Sequence, residues 1–178
     1  MIDNNDNHWT AATGVTAGTD SRGGARTKQD TPLSEVFHAL TDRLRKEYDI
    51  DKGVLVLRND EARQLAAVST WHRGIARDGL RLNLPVDASL FEKVAEQGHI
   101  YTEDFCESFS GNFFERKLLL DDDSRSFVLQ PLKSDGRVLG LLGYSSRKPM
   151  AFVTFEEGAL DDICNRLGSI IEKLVYHQ

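Results

Sequence analysis

Asp104, Phe105 and Cys106 open a segment, residues 103–125 (EDFCESFSGNFFERKLLLDDDSR), in which aromatics, charges and a glycine follow neither a helical nor a strand period. A carboxylate beside a thiol can meet a ligand. A thiol can also act as a redox group or nucleophile, or join a histidine around a metal. His99 is the histidine nearest to them, but the spacing of His99, Asp104 and Cys106 matches no established zinc pattern, and the five histidines are scattered at 8, 38, 72, 99 and 177. No metal site is expected. Cys106 and Cys164 are the only cysteines, too few for a disulfide framework, and a buried free cysteine also serves simply as a small hydrophobe. Phe109, Phe113 and Phe114 can stack on a planar ligand or fill a core. Gln130 and Tyr144 are polar groups on otherwise apolar strands. Burial would oblige each to find a hydrogen-bond partner, which makes them the ligand contacts expected on physical grounds. The expected ligand-binding set is Gln130, Tyr144, Phe91, Asp104, Phe105, Cys106, Phe113 and Phe114. Asp121–Asp123 reads as a solvated turn, since three adjacent carboxylates repel unless a cation is bound. No Ser-His-Asp arrangement, P-loop, dinucleotide fingerprint or paired-histidine motif is present, so no catalytic residue and no enzyme is expected.

The elements that position these residues centre on SFVLQPLKSDGRVLGLLGYSS, residues 126–146, two apolar strands joined by an Asp135-Gly136 turn. Phe127, Leu129 and Pro131 fall on one face of the first strand, with Val128 and Leu132 on the other. In the second strand Val138, Leu142 and Tyr144 oppose Leu139 and Leu141. Strands apolar on both faces sit mid-sheet, so helices must close one side and loops, with or without a ligand, the other. Leu33, Val36, Phe37, Leu40, Leu44 and Tyr48 mark a first helix over about 33–48, with Pro32 and Ser34 at its start. GVLVLRND from Gly53 and QLAAVSTWH from Gln64 form a hairpin ending near Gly74, and LRLNLPV from Leu80 reads as an edge strand. Ser89–Gln97 reads as a helix with Leu90, Phe91 and Val94 on its stripe and Gly98 as its stop. His99–Thr102 is extended, and a short helix over Asn112–Leu120 fits within the irregular segment. Thr154 and Glu157 form a capping box opening a last helix, with Leu160, Ile163, Leu167, Ile170, Ile171 and Leu174 on its stripe.

The chain has 178 residues, 40% of them hydrophobic, enough for one core: a single domain over 32–178 after a disordered tail over 1–31, in which Trp9 stands alone. Net charge −6, with Lys and Arg scattered among Asp and Glu, argues against direct nucleic-acid binding. No apolar run approaches the roughly 18 residues of a membrane helix, and the acidic, polar start does not read as a secretory signal, so a cytoplasmic location is expected.

The order of helix, two strands, edge strand, short helix, irregular lid, central hairpin and closing helix resembles that of GAF domains. The likeness rests on residues 126–146, on LPVDASLFEKVAEQGHIYTED before them and on AFVTFEEGAL after them, and it covers about residues 33–176. It implies an α+β fold of the GAF/PAS-like type, an antiparallel sheet with helices packed on one face and a lid of loops and short helices on the other. It also implies a sensory or regulatory domain that binds a small molecule between the central sheet and the 103–125 lid and signals through its terminal helices. The first and last helices, with Leu174 and Val175 near a free end, would then pair into a homodimer, and a signalling partner protein would read the output. The ligand stays open between a cyclic nucleotide and another small metabolite. Cyclic-nucleotide-binding members carry Asn-Lys and then Phe-x-x-x-Asp-Glu. Here Arg147-Lys148 and Phe152 to Glu156-Glu157 keep the Lys and Phe, put Glu for Asp and lack the Asn, so a Lys148–Glu156 ion pair competes with a plain helix entry. Bilin-binding members need a pocket cysteine often followed by His, whereas Glu107 follows Cys106. Free methionine sulfoxide reductases share the fold but use several pocket-side cysteines, and Cys164 in the last helix leaves Cys106 without an obvious resolving partner. A degenerate GAF domain serving as a dimerisation or docking module is the alternative, and a thiol redox enzyme using Cys106 the third reading.

Overall fold

Asp135 and Gly136 both hold positive φ, 49° and 77°, as a two-residue type I′ hairpin turn requires. The computed structural model describes residues 31–156, 158 and 160–176. In chain order the elements are α1 (Thr31–Tyr48), β1 (Lys52–Asn59), β2 (Gln64–His72), β3 (Ile75–Arg77), β4 (Leu82–Leu84), α2 (Leu90–Gln97), β5 (Tyr101–Glu103), α3 (Phe113–Leu119), β6 (Ser126–Ser134), β7 (Arg137–Ser146) and α4 (Asp161–Tyr176). The strands form one antiparallel sheet in the order β3-β2-β1-β7-β6-β5, with β4 also pairing β2 beside β3. β7 and β6 are buried along nearly their whole length, as their two-sided apolar pattern requires.

The helix face of the sheet is covered by α1 and α4. Leu33, Phe37, Leu40, Leu44 and Tyr48 pack with Leu160, Cys164, Leu167 and Ile171 over Leu55, Val128, Leu132, Leu142 and Tyr144. The lid face is covered by α2 and α3, where Phe91, Val94 and Leu119 pack over Val54, Val56, Phe127, Leu129 and Leu141. The expected architecture of helices on one face and a lid on the other is therefore the observed one.

Several local expectations change. The β6–β7 register slips between Leu132 and Lys133, so that Leu132 faces Gly140, Lys133 faces Val138 and Leu139 is the extra residue of a bulge. The slip moves Val138 to the lid-face core beside Leu141 and leaves Leu139 on the helix face with Leu142 and Tyr144. β3 is a strand where the sequence offers only a hairpin end, because three exposed residues carry no alternation. Thr31 belongs to α1 rather than to the tail, the rest of which lies outside the described residues. Thr154 sits in a turn seven residues before α4 begins at Asp161, so it is not that helix's cap, and Glu157 lies outside the described residues. Leu174 packs partly buried against its own core, while most of the outward residues of α1 are charged.

Candidate functional site

The lid is two short helices whose starts share one carboxylate. Ser89 caps α2 by accepting from the Glu92 amide at 2.9 Å, and Gly98 ends it at φ 67°. Asn112 caps α3 in a reciprocal box with Glu115. Glu115 is fully buried. Besides the Asn112 amide (3.2 Å), its carboxylate accepts from the Leu90 amide (2.9 Å), the Phe91 amide (3.1 Å) and the Ser89 hydroxyl. It thus serves the free N–H groups of α2 as well as those of its own helix. A buried charge so provided with donors is tolerable where an unpartnered one would not be. Asn112 further donates to the Pro85 carbonyl at 2.9 Å, which ties the loop before α2 to the start of α3.

Beneath this lid the centre of the sheet is closed. A β-carbon added to Gly143 would come within 2.9 Å of Leu119 and 3.0 Å of Val54, so α3 rests directly on β7 and β1. Phe109 meets Phe127 edge-on at 5.6 Å and Tyr101 stacks on it at 5.9 Å. An open groove of about 270 Å³ lies to one side, between α3 and the β1–β2–β3 end of the sheet, lined by Lys52, Thr70, His72, Ile75, Arg77, Lys117 and Leu118. Strand pairing puts its floor on one face, because Lys52 pairs with His72, Thr70 with Arg77 and His72 with Ile75.

One end of the groove is fixed by Asp121. Its carboxylate takes Lys52 Nζ at 3.3 Å, His72 Nε2 at 2.8 Å and, more distantly, Arg73 at 3.6 Å. Burial alone would raise its pKa, but the His72 hydrogen bond and the Lys52 charge outweigh burial and hold it below the usual carboxylate value. Asp123 pairs with Arg73 at 3.2 Å. The acidic run is thus no simple solvated turn: the cations it needs come from β1 and from the end of β2.

The expected ligand residues do not converge. Tyr144 lies on the helix face, fully buried, stacked 6.2 Å from Phe37. Thr41 Oγ1 donates to the Phe37 carbonyl at 2.8 Å, which leaves the Tyr144 hydroxyl to donate to Thr41 at 3.0 Å. Its ring fits because Gly53 offers no side chain, and a β-carbon there would come within 2.9 Å of it. Burial raises the Tyr144 pKa, and the Thr41 bond only partly offsets this. Gln130 faces Leu142 across the strand pair, on the same helix face, and donates to the Pro131 carbonyl at 3.0 Å. Both therefore point away from the lid, correcting the expectation that they meet a ligand beneath it. Phe91 is lid-face core. Phe105, Phe113 and Phe114 are 59%, 65% and 54% exposed, so none of them fills the space under the lid. The Asp104 carbonyl accepts from the Met150 amide at 2.8 Å. Cys106 is half-buried, with its thiol pKa raised by burial and by Glu103. Cys164 belongs to the helix-face core, where burial pushes its thiol up to about 12. The two thiols sit on opposite sides of the sheet, and neither environment favours the reactive thiolate. Lys148 pairs with Asp49 at 2.7 Å, so the ammonium a cyclic-nucleotide motif would aim at Glu156 is engaged elsewhere. No metal-holding cluster of His, Cys, Asp and Glu occurs among the described residues.

The groove's own residues were not among those expected. Thr70 and His72 do alternate against Trp71 along β2, which is a readable signal, but Arg77 sits on the unpatterned β3 and Lys117 on a helix with no marked stripe.

An antiparallel sheet backed by two long helices and fronted by two capped short ones defines a lidded α+β domain. The family model described as GAF domain matches residues 30–172, and the chain belongs to that family. Its fold is similar to the GAF domain of a two-component sensor histidine kinase from Bacillus halodurans, with 19% identity, TM-score 0.61, and 82% of this chain and 98% of that one covered. It is also similar to type II free methionine-R-sulfoxide reductase from Thermoplasma acidophilum, with 16% identity, TM-score 0.63, and coverage of 82% and 96%. A GAF domain/HD domain protein from Geobacter sulfurreducens matches at 16% identity and TM-score 0.57, with coverage of 81% and 94%. At these identities the likeness is one of fold. No curated protein matches the chain. Among the described residues no helix is long and apolar enough to cross a membrane.

Proposed function

We propose that this GAF domain is a cytoplasmic sensory or regulatory module that binds a small molecule in the groove between α3 and β1–β3 and passes its occupancy to the terminal helices. The observation that carries the reading is the groove itself, walled by a lid helix and floored by strand residues beside the closed centre of the sheet. A route to α1 starts at its rim: Asp78, next to Arg77, accepts from Ser69 Oγ at 2.7 Å and pairs with His38 Nε2 of α1 at 2.9 Å. His38 Nε2 meets Ser69 Oγ (3.2 Å) as well as Asp78, so one nitrogen serves both partners and the trio is wired as a tether rather than a proton relay. In this reading the module acts without chemistry of its own, since burial raises the pKa of both thiols, away from the reactive thiolate. Native mass spectrometry of the purified chain tests the reading. A copurified small molecule, lost on Leu118→Trp, is the expected result, and an empty chain that captures none from a metabolite extract would sink it. Homodimerisation through α1 and α4 belongs to the same proposal: sedimentation should give a dimer at micromolar concentration, and a strict monomer would remove it. The solid contact of Leu119 at Gly143 favours a second reading, a docking module with a closed lid, for which an empty chain bound to a partner protein is the expected outcome.

A further inference from the structure

Charge distinguishes this groove from the rest of the surface. The whole chain carries net charge −6, yet the lining holds Lys52, His72, Arg77 and Lys117 and no carboxylate. Two of these four are already engaged: Lys52 donates to the Lys117 carbonyl at 2.8 Å and to the Leu120 carbonyl at 3.2 Å, and it shares Asp121 with His72. The Arg77 guanidinium has no hydrogen bond or ion pair among the described residues. The Lys117 ammonium stands 5.6 Å over the Phe113 ring with no carboxylate partner there. A wider groove of about 410 Å³ around Arg147 and Lys148 shows the contrast. There Arg147 is paired to Asp51 at 3.1 Å and Lys148 to Asp49 at 2.7 Å, so no cation is left over.

We infer that the groove between α3 and β3 takes a small organic anion, its acidic group held by Arg77 and Lys117. The inference rests on the reading of the groove as the ligand site. Arg77, on a strand edge, offers the planar fork that grips a carboxylate or phosphate in two parallel hydrogen bonds, and Lys117 adds a point charge from the facing helix. Ile75 and Leu118 give the remainder of the ligand an apolar edge, and the Thr70 hydroxyl offers one further polar contact from the floor. The volume lies at or below the small end of ligand pockets, which selects a compact acid over a dinucleotide.

The experiment uses the full chain, isotopically labelled, titrated with two matched pairs that differ only in charge: benzoate with benzamide, and naphthalene-2-carboxylate with naphthalene-2-carboxamide. Backbone amide shifts over residues 70–77 and 117–118 report the groove. The expected result is that in at least one pair the carboxylate shifts these amides and binds at least about tenfold more tightly than its amide, a difference of about 1.4 kcal/mol. Arg77→Gln and Lys117→Gln, both at the surface, should each weaken the carboxylate several-fold and leave the amide unchanged. Equal affinity within both pairs would overturn the anionic class while leaving the groove as a ligand site. If no probe moves the groove amides, the groove and the class fall together. A loss that extends equally to the carboxamides would assign the effect of the variants to groove shape, and the charge argument would fail.

Discussion

The two faces of the sheet are closed by different means. On the helix face two long helices cover the strands with aliphatic and aromatic side chains, and Tyr144 at its centre satisfies its hydroxyl within the layer through Thr41. On the lid face two short helices are held by caps and by the buried Glu115, and the core beneath them takes in β1, β6, β7 and the Leu65–Ala67 start of β2. The groove lies beyond it, over β3 and the Thr70–His72 end of β2. Long amphipathic helices bury enough apolar area to seal a face, about 25 cal/mol for each Å². Helices of seven and eight residues do not, and their alignment depends on polar contacts. A stable back and a polar-tethered front are what a domain needs if its front is to respond to a small molecule.

The sharpest way to break this contrast is a matched pair of phenylalanine truncations. Phe37→Ala empties the helix-face core and should cost about 3–5 kcal/mol in denaturant unfolding, whereas Phe113→Ala, on the exposed side of α3, should stay within about 0.5 kcal/mol. A large loss at Phe113 would show that the lid packs more tightly than its exposure indicates. Next in size is Glu115→Ala, which strips the carboxylate from the Leu90, Phe91 and Asn112 amides. A loss of about 1.5–3 kcal/mol is expected, with faster amide exchange in α2 and α3 and little change in α1. Protection lost equally on both faces would erase the distinction drawn here. Tyr144→Phe should cost about 0.5–1.5 kcal/mol, the net value of one ordinary hydrogen bond, and leave carboxylate binding in the groove unchanged, since the hydroxyl lies on the other face. An affinity loss would mean that the faces communicate through this ring. The smallest effect concerns pH. The folded state lowers the Asp121 pKa, so its contribution is complete above the unfolded value near 4 and is lost as pH falls through the lower folded value. The melting-temperature gap between the native chain and Asp121→Asn should therefore be constant near neutrality and narrow only below about pH 4. A gap that narrows already between pH 7 and 5 would show that Asp121 is not held below its ordinary value.

Most of the architecture was legible because it rests on periodicity. The two-sided apolar runs fixed β6 and β7 at mid-sheet, the Leu33–Tyr48 stripe marked α1, and Ser89, Gly98 and Asn112 stood at the helix ends they cap. Which way a polar side chain in such a strand points was not legible. Gln130 and Tyr144 lie in strands apolar on both faces, so alternation cannot say which face meets helices and which meets the lid. The bulge at Leu139 further shifts the face of Val138, and Gly140 beside it was the signal the strand pattern passed over. The groove was illegible for a different reason. Its residues come from four elements, and three of its cations read in sequence as scattered surface charge. Arg77 has a role only because β3 pairs with the end of β2, a contact between short segments that no local pattern announces.

Glu115 carries a consequence beyond the energy of its hydrogen bonds. The groove is lined by Lys117 and Leu118 of α3 and by no residue of α2, so a molecule bound there would touch one lid helix alone. The same carboxylate nevertheless terminates both helices, so neither can fray at its start without releasing the other. The lid is in effect a single cooperative unit with two arms, which opens in one step rather than helix by helix. An occupant that steadies one arm slows the opening of both, and a local contact at the rim becomes a delay felt across the whole front of the domain.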